Sequence, residues 1–479
     1  MYEHYGLFID GDWRHAADGA TYETVDPATE ESLGVVPSAG ESDVAAAIEA
    51  AARGMAAWRA HDPWSRSRII QRIGELIEER IGDIARCMSS EVGKPLAQST
   101  RELRLSIDQF LWYAEETKRI DGQLLESRVP GGRIMVSHEP VGVVAAFTAW
   151  NFPAVLAARK IAPALAAGCA VILRPSKEAP GTAMRLVACC HDAGLPPGVI
   201  GLLTGSASTI TPLLMASPVV RKISLTGSTD VGKQLLRAAA DTVKRVSMEL
   251  GGHAPVIVCD DCDALHIAEL SVPVKFANAG QVCVTPNRFY VHERVADAFT
   301  RRFVECTRAL KLGHGLEPTT DVGPLTTRRR LERVDELVAA SVDAGADLLT
   351  GGRRPPAMNR GYFYEPTVLG AVPDSAPVMQ EEPFGPIAAI TTFSNLDDAV
   401  RRANDNVLGL AGYVFTRSLK CAHELSGQLR TGMVGVNTYA LAAAEAPFGG
   451  VKESGFGREG GALGIKDYLD VKYTHLVLD

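Results

Sequence analysis

From residue 141 to residue 240, short apolar runs alternate with helix-length stretches, and this narrows the fold more than any other feature. Residues 141–148 are almost continuously apolar, the pattern of a strand buried on both faces. A helix-like segment follows at 154–166, then a strand at 170–173, a helix at 181–193, a strand at 199–203, a helix at 208–216, a strand at 222–226 and a helix at 230–240. Strands alternating with helices in this way predict an α/β fold with a parallel, doubly wound sheet. Such a sheet takes its ligands at the carboxyl ends of its strands.

Upstream, residues 1–40 read as short strands and turns, with Gly11-Asp12 and Asp26-Pro27 as turn signals. Ser42 is placed to cap a helix to about residue 60, on which Val44, Ile48, Ala51, Ala52 and Met55 share a face. Two further helical stretches cover 64–90 and 95–119. After about residue 255 a second α/β unit begins, with helices at 263–277, 294–310 and 328–344. Residues 351–364, rich in Gly, Pro and Arg, read as an exposed loop. Residues 133–139 and 468–478 read as strands.

Composition then removes whole classes of function. A length of 479 residues suggests two or three domains. With 46% hydrophobic and 22% charged residues the chain is neither disordered nor collagen-like. Its 49 Lys+Arg against 57 Asp+Glu leave a net charge of −8 without a long basic run, which argues against nucleic acid and anionic membranes as partners. The longest uncharged stretch, 140–158, is interrupted by Pro140, Trp150, Asn151 and Pro153 and falls short of a bilayer span. The first 13 residues carry Glu3, Asp10 and Asp12 and lack the pattern of a secretory signal. A cytoplasmic protein is expected, with its nine cysteines as free thiols.

Three stretches could carry chemistry. Gly227-Ser228-Thr229-Asp230-Val231-Gly232-Lys233 follows a predicted strand and opens a helix. It nearly matches a phosphate-binding loop, but Gln234 stands where that loop needs a hydroxyl for Mg²⁺. The other readings are a plain strand–helix turn, or a dinucleotide pyrophosphate on a helix N-terminus. Cys283, in Asn278-Ala279-Gly280-Gln281-Val282-Cys283, is by itself either a small buried hydrophobe or a nucleophile with small neighbours. Glu249, beside Gly251 and Gly252, is an ordinary loop carboxylate or a partly desolvated base. Cys259 and Cys262 form a lone C-x-x-C without a partner pair, so no metal site is expected.

Seven motifs stand in one order and spacing: Trp150-Asn151-Phe152-Pro153, Pro163-Ala164-Leu165-Ala166-Ala167-Gly168, Thr226-Gly227-Ser228, Glu249-Leu250-Gly251-Gly252, Gly280-Gln281-Val282-Cys283, Glu382-Pro383-Phe384-Gly385-Pro386 and Pro447-Phe448-Gly449-Gly450. Through them the chain resembles the aldehyde dehydrogenase superfamily over essentially its whole length. The resemblance implies a Rossmann-like dinucleotide-binding domain (1–124 and 142–251), a catalytic domain (252–445) and a β oligomerisation arm (125–141 and 466–479). It implies that the Cys283 thiolate attacks an aldehyde, that Asn151 and the Cys283 N–H hold the oxyanion, and that Glu249 activates water against the thioester. Trp150, Gly227, Ser228, Gly251, Glu382 and Phe384 would then border the cofactor.

The same resemblance sets expectations for specificity. Where the family usually has Lys-Pro-Ser-Glu, this chain has Arg174-Pro175-Ser176-Lys177, with Glu178 one place late. A cation at Lys177 predicts that NADP⁺ is accepted; Glu178 swinging in would instead favour NAD⁺. The chain looks nearest to the succinate- and α-ketoglutaric-semialdehyde dehydrogenases, through Ile465-Lys466-Asp467-Tyr468-Leu469. Yet it has Ala277 where the succinate-semialdehyde enzymes have arginine, and Ala442 and Ala443 near their serine, which removes strong carboxylate partners. Arg159 could meet a polar or anionic group, or be a surface arginine or a structural ion pair. Phe152, Leu156, Val282, Val284 and Ala442 would line a roomy apolar pocket. Medium-sized aliphatic or aromatic aldehydes are therefore expected to outperform succinate semialdehyde. A homodimer or homotetramer is implied, bridged by a hairpin at 125–141 and the last strand. The competing functions are a nucleotide hydrolase built on residues 227–233, a non-catalytic scaffold, and a coenzyme-A-acylating enzyme.

Overall fold

The computed structural model describes residues 1–477 of the chain; Leu478, which the expected last strand includes, and Asp479 lie outside the described residues. Two large sheets and one small one organise it. The first sheet has eight strands. Its centre is parallel, in the order Ile200–Leu202, Val171–Arg174, Val143–Phe147, Val220–Thr226 and Arg245–Glu249. The chain leaves the Val143–Phe147 strand first to one side and later returns to the other. The crevice between that strand and Val220–Thr226 is therefore the switch point where an open α/β sheet binds ligands. Antiparallel pairs close both edges, with Leu7–Ile9 and Asp12–Arg14 on one side and Gly455–Phe456 on the other. The Val143–Phe147 strand is buried along its whole length, as its unbroken apolar run requires.

The second sheet has seven strands, in the order Asp347–Thr350, Thr367–Gly370, Ile387–Phe393, Pro286–His292, Ala254–Val258, Ala411–Phe415 and Met433–Val436. All its pairs are parallel except the one at the Asp347–Thr350 edge. Its core of Val256, Ile257, Phe289, Val291, Phe299, Phe303 and Val414 is separate from the clusters on the two faces of the first sheet. In the third sheet Gly132–Pro140 pairs antiparallel with both Gln123–Glu126 and Leu469–Val477.

Several local features differ from the sequence reading. The first long helix, Glu41–Arg59, is capped at Gly40, because the Asp43 carboxylate reaches back to the Gly40 N–H at 2.9 Å; Ser42 lies inside its first turn. The stretch 64–90 is two helices, Pro63–Glu79 and Ile81–Val92, broken at Arg80, whose backbone (φ −108°, ψ 11°) leaves the helical range. The loop 351–364 ends in the core: Phe363 and Tyr364 are buried, and the Tyr364 hydroxyl donates to Asp335. Among the described residues no helix is long and apolar enough to cross a membrane.

Candidate active site

Two cavities meet at the carboxyl ends of the first sheet. The smaller, about 300 Å³, is walled mostly by apolar side chains from both halves of the chain. Trp150, Asn151, Phe152, Leu156 and Arg159 come from the Val143–Phe147 strand exit and the helix Pro153–Ala167 that follows it. Val282, Cys283 and Val284 come from the turn before strand Pro286–His292, and Ala442 and Phe448 from the segment after Met433–Val436. The larger, about 1340 Å³, runs along the switch point past Arg174, Ser176 and the start of helix Thr229–Ala240. Trp150, Thr226, Gly227, Ser228, Arg330 and Glu382 line both.

The turn carrying Cys283 is built from unusual backbone. Asn278, Ala279 and Gly280 have φ of 48°, 54° and 72°, three successive left-handed residues. Glycine is required at 280, where a Cβ would lie 2.1 Å from the Gly385 carbonyl oxygen. Asn278 fastens the turn to the first sheet, its Nδ2 donating to the Asn151 carbonyl at 3.0 Å. In return Asn151 Nδ2 donates to the Gln281 carbonyl at 3.0 Å, while Asn151 Oδ1 has no partner. Asn151 and the turn that carries Cys283 thus hold each other's backbone in place.

Burial sets the electrostatics. It pushes the Cys283 thiol up to about 12, Glu382 and Glu249 push in the same direction, and Arg159 pulls the other way. Glu249 is the last residue of strand Arg245–Glu249, rather than part of the loop beyond it, and it is buried outright. Desolvation and nearby Glu459 raise its carboxyl well above the usual range, against Lys160, Arg159 and Arg458. Neither of its oxygens has a hydrogen-bond partner. Glu249 does not line either cavity; its Oε1 points to Gly449, whose Cβ would stand 2.7 Å away. Any contact with a ligand requires its side chain to rotate toward Leu250 and Gly251, which do line the smaller one.

The six pocket residues named from sequence all line the smaller cavity. Arg159 is only 3% exposed, so it is no surface arginine; it lies 4.0 Å over the Phe448 ring, leaves its Nε unpartnered and forms no ion pair among the described residues. Leu105, Phe448 and Arg330 also line this cavity and were missed. Leu105 and Arg330 sit on ordinary amphipathic helices and carry no local signal; Phe448 was marked by its Pro-Phe-Gly-Gly motif.

Around the larger cavity the two expected neighbours part ways. Lys177 is exposed, does not line the cavity, and holds its Nζ 5.3 Å over the Tyr22 ring. Glu178, one place later, does line it. Arginines line it instead, Arg329, Arg330 and Arg333 on one side and Arg174 beside Ser176; Arg174 Nη2 donates to the Gly205 carbonyl, and its Nε and the Ser176 hydroxyl are unpartnered. Buried polar atoms without partners on a cavity wall fit a polar ligand such as a dinucleotide. Ser228 caps helix Thr229–Ala240, whose free N–H groups face the same space. Gly251 fits a close approach: a Cβ there would sit 2.7 Å from Glu382 Oε2.

Lys233 forms an ion pair with Glu453 at 2.8 Å and lines neither cavity, which removes the phosphate-loop reading of residues 227–233. Cys259 lies 3.8 Å from the sulfur of Cys421 rather than pairing with Cys262, and among the described residues no group of side chains could hold a metal.

The turn that carries Cys283 thus stands against a doubly wound sheet, at a cavity that shares part of its wall with a larger cleft. Residues 13–474 match the Aldehyde dehydrogenase family, and the chain belongs to it. It is an oxidoreductase acting on aldehydes. It is 42% identical to the glutarate-semialdehyde dehydrogenase of Pseudomonas putida, over 97% of this chain and 96% of that one. It is 41% identical to the NADP(+) succinate-semialdehyde dehydrogenase of Escherichia coli, again over 97% and 96%. The crystal structure of succinate-semialdehyde dehydrogenase from Burkholderia pseudomallei superposes with a TM-score of 0.97, at 42% identity over 99% of this chain and 98% of that one.

Proposed function

We propose that the chain oxidises a medium-sized aldehyde to its carboxylic acid through a covalent bond to Cys283, with NADP⁺ or NAD⁺ as cofactor. The observation that carries this reading is that Cys283 and Asn151 both line the smaller cavity, which shares Trp150, Gly227, Ser228 and Glu382 with the larger one. The Cys283 sulfur, once deprotonated, attacks the aldehyde carbon. The Asn151 amide turns from the Gln281 carbonyl to the oxyanion, assisted by the Cys283 N–H. One such donor is typically worth about 3–4 kcal/mol of barrier.

Arg174 and Ser176 would hold the cofactor's adenosine half, Ser228 and the helix start its pyrophosphate, and Glu382 and Phe384 its nicotinamide half. Bound there, the nicotinamide supplies the acceptor for the two electrons and hydrogen that leave the captured carbon, so that a thioester remains on Cys283. Glu249, rotated toward the cavity, takes a proton from water, and that water releases the acid. Burial and nearby Glu459 raise its pKa, which makes its carboxylate a stronger base than a solvated one. Arg174 replaces Lys177 as the cation that supports acceptance of a 2′-phosphate, in keeping with the NADP(+) named for the Escherichia coli relative.

Phe152, Leu156, Val284 and Phe448 favour an apolar aldehyde body. A second reading, an aldehyde ending in an acid group, rests on the unpartnered Arg159 Nε inside the pocket and on the semialdehydes named for the relatives. A panel of aliphatic, aromatic and acid-terminated aldehydes, each with NAD⁺ and NADP⁺, ranks them by kcat/KM. Medium-sized members should lead, and succinate semialdehyde ahead of all by a wide margin would refute the preference. Assembly as a homo-oligomer through the small sheet belongs to the same proposal, supported by its exposed Leu124, Val471 and Tyr473. The domain division at 1–124 with 142–251, 252–445, and the arm, is carried forward on the eight-, seven- and three-stranded sheets, which are separate from one another.

A further inference from the structure

We infer that Arg330 is a positioning residue for the nicotinamide half of the dinucleotide, acting through the loop Glu382–Pro383–Phe384; the inference rests on the cofactor reading above. Among the described residues Arg330 is the only cation that lines both cavities. It is the third residue of helix Arg328–Asp343, and its backbone N–H donates to the N-cap Thr327 hydroxyl, which fixes where the side chain starts. From there its Nη1 donates to the Pro383 carbonyl at 3.4 Å, and its guanidinium carbon lies 5.4 Å from the Phe384 ring centre.

Phe384 needs such a hold. Its φ of 43° is a left-handed conformation that a non-glycine residue keeps only when its surroundings enforce it, at a cost of about 1–3 kcal/mol. Trp150 packs edge-on against the same ring, at 5.5 Å and 80°. Phe384 is therefore held by an indole from the first sheet and a guanidinium from the catalytic half. Both of those groups line the space the cofactor would fill.

The charge of Arg330 acts on the other end of the loop. Glu382 Oε1 accepts from the Gly252 N–H at 3.1 Å, and the charged or titratable groups that face its carboxyl are Arg330, Lys275 and the Cys283 thiol. Burial pushes Glu382 up to about 7, while the Gly252 N–H, Arg330 and Lys275 pull it down. Lys275, itself brought to about 7 by burial and bonded to Asn287, is only partly charged near neutrality. Arg330 stays charged throughout that range. Together with the Gly252 N–H it limits the rise in the Glu382 pKa, so that above about pH 7 the carboxylate is ionised and able to accept hydrogen bonds from a ribose. Without Arg330, Glu382 keeps its proton to higher pH and offers a poorer acceptor.

The test is binding without turnover. Intrinsic tryptophan fluorescence, to which Trp150 in the cleft contributes, is titrated with NADP⁺ and with NAD⁺ in the absence of aldehyde, from pH 6 to 9. The full-length enzyme is compared with Arg330→Gln and Arg330→Lys. In the unaltered enzyme affinity should rise with pH through about 7, following the ionisation of Glu382. Arg330→Gln should bind about tenfold more weakly at pH 7, with the rise displaced upward by about one pH unit. Arg330→Lys should restore most of the affinity and the original midpoint. In turnover, KM for the cofactor should rise in Arg330→Gln while KM for the aldehyde holds. An unchanged midpoint in Arg330→Gln, or a loss of affinity equal at every pH and shared by Arg330→Lys, would overturn the inference and leave the cofactor reading standing. Absence of binding to the unaltered enzyme would overturn both.

Discussion

Cys283 sits where its thiol is hard to ionise, with two carboxyl groups opposing the thiolate and one arginine favouring it. Below its pKa the thiolate fraction falls tenfold for each pH unit, and only the thiolate reacts. In the cofactor-free enzyme, alkylation of Cys283 by iodoacetamide, followed by peptide mass spectrometry, should quicken about tenfold per pH unit from 7 to 9. Arg159→Ala should slow it further, because the substitution removes the one charge that lowers the thiol pKa. Labelling that is fast at pH 7 and flat above it would contradict this. At this scale the sequence went far because the motifs are short and closely spaced: Asn151, Cys283 and the six pocket residues do line one cavity. What it missed depends on side-chain direction. Lys177 and Glu178 are neighbours, yet only Glu178 faces the cleft. Glu249 is next to two lining residues and points elsewhere.

At the scale of elements, helix Pro153–Ala167 aims Asn151 and Phe152 at the cavity, and its N-terminus is held from outside. Glu102, on helix Leu96–Glu116, accepts from the N–H groups of Ala154 at 2.9 Å and Val155 at 3.2 Å. Lys94 pairs with the same carboxylate and places its Nζ 3.8 Å over the Phe152 ring. Both partners are 1% exposed. Breaking one side of a buried pair leaves an uncompensated charge at a cost of roughly 3–5 kcal/mol. Glu102→Ala should therefore lower the stability read by urea unfolding by about that much, and Lys94→Met together with Glu102→Gln should recover part of it. A single substitution without effect would mean that the pair holds nothing. None of this was legible: the helix itself follows from its period, but a carboxylate 52 residues away that caps it leaves no mark in the local pattern. A local polar contact explains another departure: Asp43, three residues on, sets the helix cap at Gly40.

For the whole molecule, the alternation of apolar runs and helices was enough to give the parallel sheets, because a strand covered on both faces must be apolar throughout. The small third sheet had a weaker signal, since its strands are largely exposed, and it was legible chiefly through the family resemblance. Its open edges, Gln123–Glu126 and Leu469–Val477, leave Leu124 68%, Val471 65% and Tyr473 61% exposed in the single chain. Unpaired edges with apolar side chains invite pairing with another copy. Light scattering after gel filtration should give a mass of two or four chains, and Val471→Lys with Tyr473→Glu should shift it toward one. A single-chain mass for the unaltered protein would contradict the assembly.

The most direct test of the covalent route is the intact mass of Glu249→Gln enzyme, acid-quenched after mixing with a medium-sized aldehyde and cofactor. Without the base the thioester should persist, so the protein should gain the aldehyde's mass less two hydrogens, with the added group on the Cys283 peptide and NAD(P)H formed in equal amount. An unmodified Cys283, or an adduct on another cysteine accompanied by normal turnover, would contradict it.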